Sequence, residues 1–194
     1  MKLLLTAFDP FGGSPINPAL EAVKLVADQV GDVEIVKLEV PTVFGKSVAT
    51  VAAKMAEVKP DAVLCIGQAG GRAAVTPEVV AINLQEARIP DNLGSQPMNI
   101  PVVKGGPAAY FATVPVREMV QAIQTANIPA ALSYSAGTFV CNDVLYRLLH
   151  HFDGTATQAG FIHVPYLPQQ AKENHPSLPQ EKIVEALQLA ISVL

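Results

Sequence analysis

Strand-like apolar runs alternate with helical patterns along nearly the whole 194-residue chain, and this alternation constrains the fold more than any other feature. The strand-like runs are short, unbroken and rich in Val, Ile, Leu and Ala, which is typical of parallel strands buried on both faces. The predicted strands are residues 2–8, 32–40, 61–67, 130–135 and 159–164, and the predicted helices are residues 17–30, 45–58, 110–126, 141–152 and 179–194. The pattern predicts an α/β fold, a three-layer α/β/α sandwich with a mostly parallel central sheet.

No linker, repeat or low-complexity tract interrupts the pattern, so the chain is expected to form one domain. The longest irregular section runs from Gly67 to Pro107 and is dense in Gly, Pro and Asn. It is too long for a passive connection, so we expect it to carry a hairpin or to contribute to a site or an interface.

Composition excludes several classes of partner. Only 15% of the residues are charged, against about 25% in typical soluble domains, while 50% are hydrophobic, which predicts apolar surface and a homo-oligomer. The formal charge of -4 comes from scattered residues, without the basic stripe that a nucleic-acid partner requires. No segment approaches the roughly 18 apolar residues of a membrane span, and residues 1–13 are better explained by a buried strand than by a signal peptide.

The two cysteines, Cys65 and Cys141, are too few for a disulfide framework. We therefore expect both thiols to be reduced and the protein to be cytoplasmic. Cys65 lies inside an apolar run and is expected to be an inert buried side chain.

Unusual residues follow the predicted strands in four segments, where an open α/β sheet collects its ligands. These segments are FDPFGGSPINP, IGQAGGRAAVTPE, AGTFVCN and HVPYLP. Cys141 begins a predicted helix, a position that lowers a thiol pKa and favours a nucleophilic thiolate. The position of Cys141 alone fits a small, buried core residue equally well. His163 ends a strand at the same edge, which makes it the expected base, although a strand-end histidine is more often only structural.

The third group of such a site is an acceptor that orients the imidazole. Glu78 lies between apolar neighbours, where a buried carboxylate needs a partner, and His163 is a suitable one. The alternative for Glu78 is an exposed acid early in a helix. Asp9 and Asp143 are rival orienting residues, although Asp143 also fits a helix first turn and Asp9 a turn beside proline.

The segments TAFDPFGGSPINP, GQAGGRAAVTPEVVAIN, SAGTFVCN and HVPYLP closely resemble the pyroglutamyl peptidase I family, and the match covers almost the whole chain. The resemblance implies a cysteine exopeptidase, with residues 1–194 as a single catalytic domain, that removes N-terminal pyroglutamate from peptides. It assigns nucleophilic attack to Cys141, general base and acid catalysis to His163, and orientation of the imidazole to Glu78. It also implies a homotetramer.

Pyroglutamate is a flat, uncharged lactam, so its pocket needs apolar walls and a few amide-matching hydrogen bonds. Phe8, Phe11 and Phe139 are candidates to sandwich the ring, although each also fits ordinary core packing. The resemblance adds Gln68 and the backbone near Val140 as lactam partners. The remaining binding candidates are Asn17, expected to brace the first loop, and Arg88, expected to stabilise the oxyanion unless the backbone N–H of Cys141 does so. Arg72 is expected to hold the glycine-rich loop through a structural ion pair.

We expect no metal and no cofactor, because the histidines lack metal-site spacing and no oxygen cluster suits a hard cation.

The sequence also leaves two other functions open. DPFGG after the first strand fits a phosphate-binding turn of a nucleotide- or nucleoside-binding protein, although it matches no full phosphate-loop motif. The second alternative is a redox sensor that uses Cys141, but this function leaves Glu78 and His163 unexplained.

Overall fold

The computed structural model describes residues 1–172 and 175–194. Its eight strands and five helices follow one another as β1 (Lys2–Phe8), α1 (Pro18–Leu25), β2 (Gln29–Val30), β3 (Val33–Val40), α2 (Lys46–Val58), β4 (Ala62–Gln68), β5 (Thr76–Pro77), β6 (Val80–Ile82), β7 (Ala109–Phe111), α3 (Val116–Thr125), α4 (Val140–Phe152), β8 (Gln158–Val164) and α5 (Gln180–Ile191). None of the helices in this part of the chain is long and apolar enough to span a membrane.

Six strands form the central sheet in the order β2-β3-β1-β4-β8-β5. The four central strands β3, β1, β4 and β8 are parallel, whereas β2 and β5 run antiparallel at the two edges. The long irregular section contributes β6 to a separate antiparallel pair, whose partner β7 lies just beyond the section, so the pair is not the local hairpin that was one expectation for it. The predicted α/β class and mostly parallel sheet are confirmed.

The helices divide between the two faces of the sheet. Alternate side chains of β1 enter different hydrophobic clusters, with Leu3 and Leu5 on one face and Leu4 and Phe8 on the other. Helices α1, α3 and α5 pack on the first face, and α2 and α4 pack on the second. The three layers predicted from the buried strands are therefore present.

Three predicted elements differ from the structure. The helix expected over residues 17–30 ends at Leu25, because Gln29 and Val30 pair with β3 across a turn at Gly31, whose φ of 53° suits glycine. The helix expected over residues 110–126 begins only at Val116, because residues 109–111 pair with β6.

The strand expected over residues 130–135 is not a regular strand and makes only isolated bridges to the segment around Thr76 and Pro77. Backbone bonds join Val75 to Pro129 and Ala131, and Ser133 to Pro77 and Val79. Pro77 lacks the N–H that would continue this parallel ladder between them. Residues 130–135 consequently lie beside residues 75–79 without forming a continuous strand.

Candidate active site

Helix α4 brings Cys141 over the sheet beside His163. Strands β4 and β8 are neighbours, with Gly67 opposite His163 in the parallel register. The His163 ring packs on Phe161, two residues earlier on the same face of β8, with ring centroids 4.7 Å apart. Cys141, the second residue of α4, has its Sγ 3.2 Å from the position that a Cβ on Gly67 would occupy. The absence of a side chain at Gly67 therefore gives the thiol its place next to the imidazole.

Glu78 is bonded to His163. Its Oε1 lies 2.7 Å from His163 Nδ1, and both side chains are buried. Antiparallel pairing of β5 with β8 brings Glu78 there, and its backbone N–H donates to Phe161 O at 2.9 Å. Because an ionised carboxylate only accepts hydrogen bonds, Nδ1 carries the proton of a neutral ring and leaves the Nε2 lone pair free. The alternative of an exposed helical acid at Glu78 is wrong.

The rival orienting residues are bonded elsewhere. Asp9 Oδ1 accepts from Thr42 N at 2.7 Å and from Asn92 Nδ2 at 3.1 Å. Asp143 is buried and accepts from Gly45 N, Gln85 Nε2 and Arg147 Nε. Neither carboxylate bonds to His163 within the residues that the structure describes.

Arg72 contacts Glu78 directly, which the sequence did not indicate. Its Nη1 lies 2.8 Å from Glu78 Oε1, and the same nitrogen donates to Thr76 Oγ1 at 2.6 Å. The expectation of a structural ion pair is correct in kind, and the partner is the carboxylate that is hydrogen-bonded to His163. No pattern around GGRAAVTPE specifies that pairing, since it depends on how the loop before β5 folds back.

Burial and charge set opposite protonation preferences in the Glu78–His163 pair. Burial alone raises the pKa of Glu78, but the hydrogen bond and charge of His163 and the hydrogen bonds from Ser133 and Arg72 outweigh it and lower the pKa below its ordinary value. Burial lowers the pKa of His163, and Glu78 offsets this only in part, while Arg72 adds to the decrease. At neutral pH we therefore take Glu78 as ionised and His163 as uncharged.

Burial raises the pKa of the Cys141 thiol to about 12, and the charge of Glu78 adds to the increase. The Cys141 backbone N–H and Arg72 act in the opposite direction but are outweighed. Burial on this side of the sheet thus opposes the lowering of the pKa expected from the helix start, although Cys141 is only partly buried and borders the cavity. The direction of both pKa shifts favours an uncharged thiol and an uncharged imidazole at this cavity.

Cys141 and His163 lie at a cavity of about 1300 Å³. Four predicted binding residues also line it, namely Phe11, Gln68, Arg88 and Phe139. The Phe11 and Phe139 rings are tilted by 40° with centroids 6.2 Å apart, and Phe44 meets Phe139 edge-on on its other side. The walls are thus partly aromatic, as the sequence predicted.

Three other predicted residues do not line the cavity. Phe8 is buried in the core and stacks on Phe161, with ring centroids 6.1 Å apart, because its strand position points beneath α4. Asn17 braces the first loop by donating to Asp9 O at 3.2 Å, while its Oδ1 caps α1 at Ala19 N. The side chain of Val140 is fully buried.

One loop side chain that the sequence did not single out joins two walls of the cavity. Gln170, beyond the end of β8, donates to Gln68 Oε1 at 3.3 Å and to Ile16 O at 3.2 Å. Its amide fixes the first loop relative to Gln68. The only available signal was the nearby HVPYLP segment, which did not extend to Gln170. Within residues 1–172 and 175–194, no group of three or more His, Cys, Asp or Glu could hold a metal ion.

Comparison with known proteins identifies the family. A family model described as pyroglutamyl peptidase matches residues 1–194. The chain belongs to the pyroglutamyl peptidase family. Among its relatives, pyrrolidone-carboxylate peptidase 1 of Caldanaerobacter subterraneus subsp. tengcongensis is 51% identical, with 100% of this chain and 98% of that protein covered. Pyrrolidone-carboxylate peptidase of Enterococcus faecalis is also 51% identical, with 96% of this chain and 90% of that protein covered.

Solved structures of the same family have the same fold. The crystal structure of pyroglutamyl peptidase I of Bacillus amyloliquefaciens superposes with a TM-score of 0.95 at 49% identity, covering 99% of this chain and 95% of that one. The pyrrolidone carboxyl peptidase of Thermococcus litoralis gives a TM-score of 0.94 at 36% identity, covering 99% of this chain and 92% of that one. The resemblance found in the four sequence segments is confirmed.

Proposed function

We propose that this cysteine peptidase hydrolyses the amide bond after an N-terminal pyroglutamyl residue, with Cys141 as nucleophile, His163 as general base and acid, and Glu78 as the group that orients His163. The buried bond between Glu78 and His163, at the cavity where Cys141 also lies, carries the assignment. Family membership supplies the reaction. It favours the peptidase over the nucleotide-binding and redox-sensing alternatives.

The neutral state of the thiol and imidazole determines the first step. His163 Nε2 takes the Cys141 proton as the sulfur attacks the pyroglutamyl carbonyl carbon, so no stable thiolate is needed in the resting enzyme. The imidazolium then gives that proton to the departing amine, and the C–N bond breaks to leave a thioester. Water, deprotonated by His163, hydrolyses the thioester and releases pyroglutamate. The Glu78 charge stabilises the imidazolium in both steps.

The oxyanion needs a donor beside Cys141. The backbone N–H of Cys141 is suitable because it lies in the first turn of α4, where N–H groups have no intrahelical partner and no side chain caps the helix. Arg88 is the other candidate, since it is exposed and lines the same cavity. Each such donor contributes about 3–4 kcal/mol in well-studied acyl-transfer enzymes.

The lactam ring is assigned to the space between Phe11 and Phe139, with Gln68 and the backbone near Val140 as hydrogen-bond partners. A flat ring between two aromatic faces needs centroids about 7 Å apart, at roughly 3.5 Å per contact. Since the two rings are 6.2 Å apart and tilted by 40°, the proposal requires them to separate when the lactam binds. The half-buried position of Phe11 in a loop allows such a shift.

The activity is tested with a chromogenic amide of pyroglutamate, with the prolyl and alanyl amides as matched controls. The prolyl ring has the size of the lactam but lacks its carbonyl and carries a charged amine, so it tests the uncharged aromatic pocket directly. We expect hydrolysis of the pyroglutamyl amide alone. Equal cleavage of all three would contradict the lactam pocket, and cleavage of none would contradict the peptidase.

Substituting Gly67 by alanine tests the position of the sulfur. The added methyl would lie 2.7 Å from Phe161 Cζ and 3.2 Å from Cys141 Sγ. We expect stability to fall by about 1–3 kcal/mol from overpacking. We also expect kcat/KM of the folded protein to fall about 100-fold, because displacement of a reacting atom by about 1 Å has effects of that size. Chemical denaturation and steady-state kinetics measure the two effects.

The matched control is Gly160→Ala. Its methyl would overlap the Val114 side chain on the opposite face of the sheet, far from Cys141. This variant is expected to lose comparable stability while the folded fraction keeps its kcat/KM. A Gly67→Ala variant as active as Gly160→Ala would show that the sulfur does not lie over Gly67 in the working enzyme.

The proposal also covers the domain organisation, the oligomeric state and the compartment. We propose that residues 1–194 form a single catalytic domain, because the assigned residues come from loops and strands along the whole chain.

We propose a homotetramer, which is supported by apolar and aromatic side chains that are 61–74% exposed, namely Leu25, Leu93, Met98, Phe111 and Tyr134. A monomer in analytical ultracentrifugation would contradict the oligomer. Both cysteines are free, which fits the reducing cytoplasm.

A further inference from the structure

Arg72 makes three side-chain hydrogen bonds around the Glu78 carboxylate. Its Nη1 donates to Glu78 Oε1 at 2.8 Å and to Thr76 Oγ1 at 2.6 Å, and its Nη2 donates to Ser135 O at 3.1 Å. Its backbone N–H donates to Ala69 O at 3.3 Å, which closes the loop between β4 and β5. The guanidinium is consequently fixed from three sides although it is 30% exposed.

The Glu78 carboxylate is held through one oxygen only. Oε1 accepts from both His163 and Arg72, whereas Oε2 is buried and has no hydrogen-bond partner within the described ranges. Without Arg72, the carboxylate would keep only His163 and the nearby Ser133 hydroxyl as hydrogen-bonding groups. The orientation of Glu78, and through it that of His163, therefore depends on Arg72.

Arg72 also balances the charge next to His163. The ionised groups beside the imidazole are Glu78, after β5, and Arg72, in the loop between β4 and β5. The other elements packed there contribute the neutral Cys141 thiol from α4, the Phe161 ring from β8 itself and Gly67 from β4. The exposed side chains of titratable or charged type that line the cavity are Glu86, Arg88, Lys172 and His175. Removing Arg72 would leave the Glu78 charge uncompensated against His163.

We propose that Arg72 is a positioning residue of the reaction, which holds Glu78 Oε1 against His163 Nδ1 and keeps the resting imidazole uncharged. The cationic guanidinium disfavours a second positive charge on His163, in the same direction as burial does. An uncharged imidazole is the form that accepts the thiol proton. The inference rests on the proposed peptidase function, but its first test needs no activity.

The first test is an NMR titration of the His163 ring in the wild type, Arg72→Gln and Arg147→Gln. Arg147→Gln is the matched control, because Arg147 is 31% exposed and pairs at 2.9 Å with Asp143, a carboxylate as buried as Glu78. We expect the pKa of His163 to rise by about 1 unit in Arg72→Gln, the lower end of the range for a nearby charge, and to stay unchanged in Arg147→Gln. An unchanged or lower pKa of His163 in Arg72→Gln would overturn the proposal.

The second readout is the acid limb of the kcat/KM profile. Because only the uncharged imidazole accepts the thiol proton, a raised His163 pKa moves the acid limb of Arg72→Gln to higher pH by the same shift as in the NMR titration. A limb that stays in place while the enzyme remains active contradicts the proposal. If no variant cleaves the pyroglutamyl amide, the proposed function fails, while the NMR titration still decides the role of Arg72.

Arg72→Lys keeps the inference testable if Arg72→Gln does not fold. Lysine keeps the positive charge but cannot make the three bonds of the guanidinium fork. We expect the pKa of His163 to stay near the wild-type value and kcat to fall about tenfold, the effect of a modest loss of orientation. Wild-type kcat in Arg72→Lys would overturn the positioning role, and a raised pKa would overturn the charge role.

Discussion

Replacing Cys141 by serine is expected to lower kcat/KM for a pyroglutamyl amide by about 10⁴-fold or more, the usual loss when the nucleophile of a catalytic triad is removed. A hydroxyl is smaller than the thiol, so it fits against Gly67 without a clash. It is a weaker acid and a poorer nucleophile, and a neutral His163 deprotonates it less readily. Steady-state kinetics on protein of verified thermal stability would measure the loss.

Cys65→Ala is the matched control for this substitution. Cys65 is fully buried in β4, and burial raises the pKa of its thiol to about 12. Its side chain contributes only packing, so the variant should keep wild-type kcat/KM in its folded fraction. Iodoacetamide should inactivate both the wild type and Cys65→Ala by modifying Cys141. Full activity in Cys141→Ser would exclude the thiol mechanism.

Replacing Glu78 by glutamine should lower kcat by about 10³- to 10⁴-fold, as the loss of the orienting carboxylate does in a comparable triad. The amide has the same shape but no charge, so it neither stabilises the imidazolium nor fixes the Nδ1–H tautomer. It also leaves Arg72 without its charge partner. Because the thiol is untouched, the variant should still be alkylated at Cys141.

Asp143→Asn provides the comparison for Glu78→Gln. Asp143 is fully buried, pairs with a half-exposed arginine and was the rival orienting residue on sequence grounds. Its bonds go to Gly45, Gln85 and Arg147, so its loss should reduce stability through α4 with a far smaller effect on kcat. If kcat fell as much in Asp143→Asn as in Glu78→Gln, both losses would be explained by disturbed folding, and the orienting role of Glu78 would be contradicted.

Long, regular segments were the most predictable part of the fold. Strand β1, helix α4 and strand β8 match their predicted ranges within about one residue, because each pattern is consistent over two or more turns or a full buried strand. The failures lie where tertiary pairing overrides local preference. Residues 29–30 and 109–111 are strands only because partners lie alongside them, and no periodic pattern specifies those partners.

The candidate site was predictable in composition but not in detail. Cys141, His163, Phe11 and Phe139 follow from segments at one sheet edge, and all line the cavity. Phe8 belongs to the core instead, since the alternation of side chains along β1 turns it beneath α4. On the sequence alone Phe8 fits both the core and the pocket, and only its position in the packed sheet separates the two.

The sequence by itself determined the α/β class, the family and the residue types available for acyl transfer, because periodicity and motif chemistry are local properties of the chain. Only the tertiary structure decided the pairing of Arg72 with Glu78, the place of the sulfur over Gly67 and the burial that raises the pKa of the Cys141 thiol. These features depend on distances and burial between segments far apart in the chain. A helix start alone favours a thiolate, but the packing of that helix on the sheet partly buries the sulfur, and burial acts against the charged form.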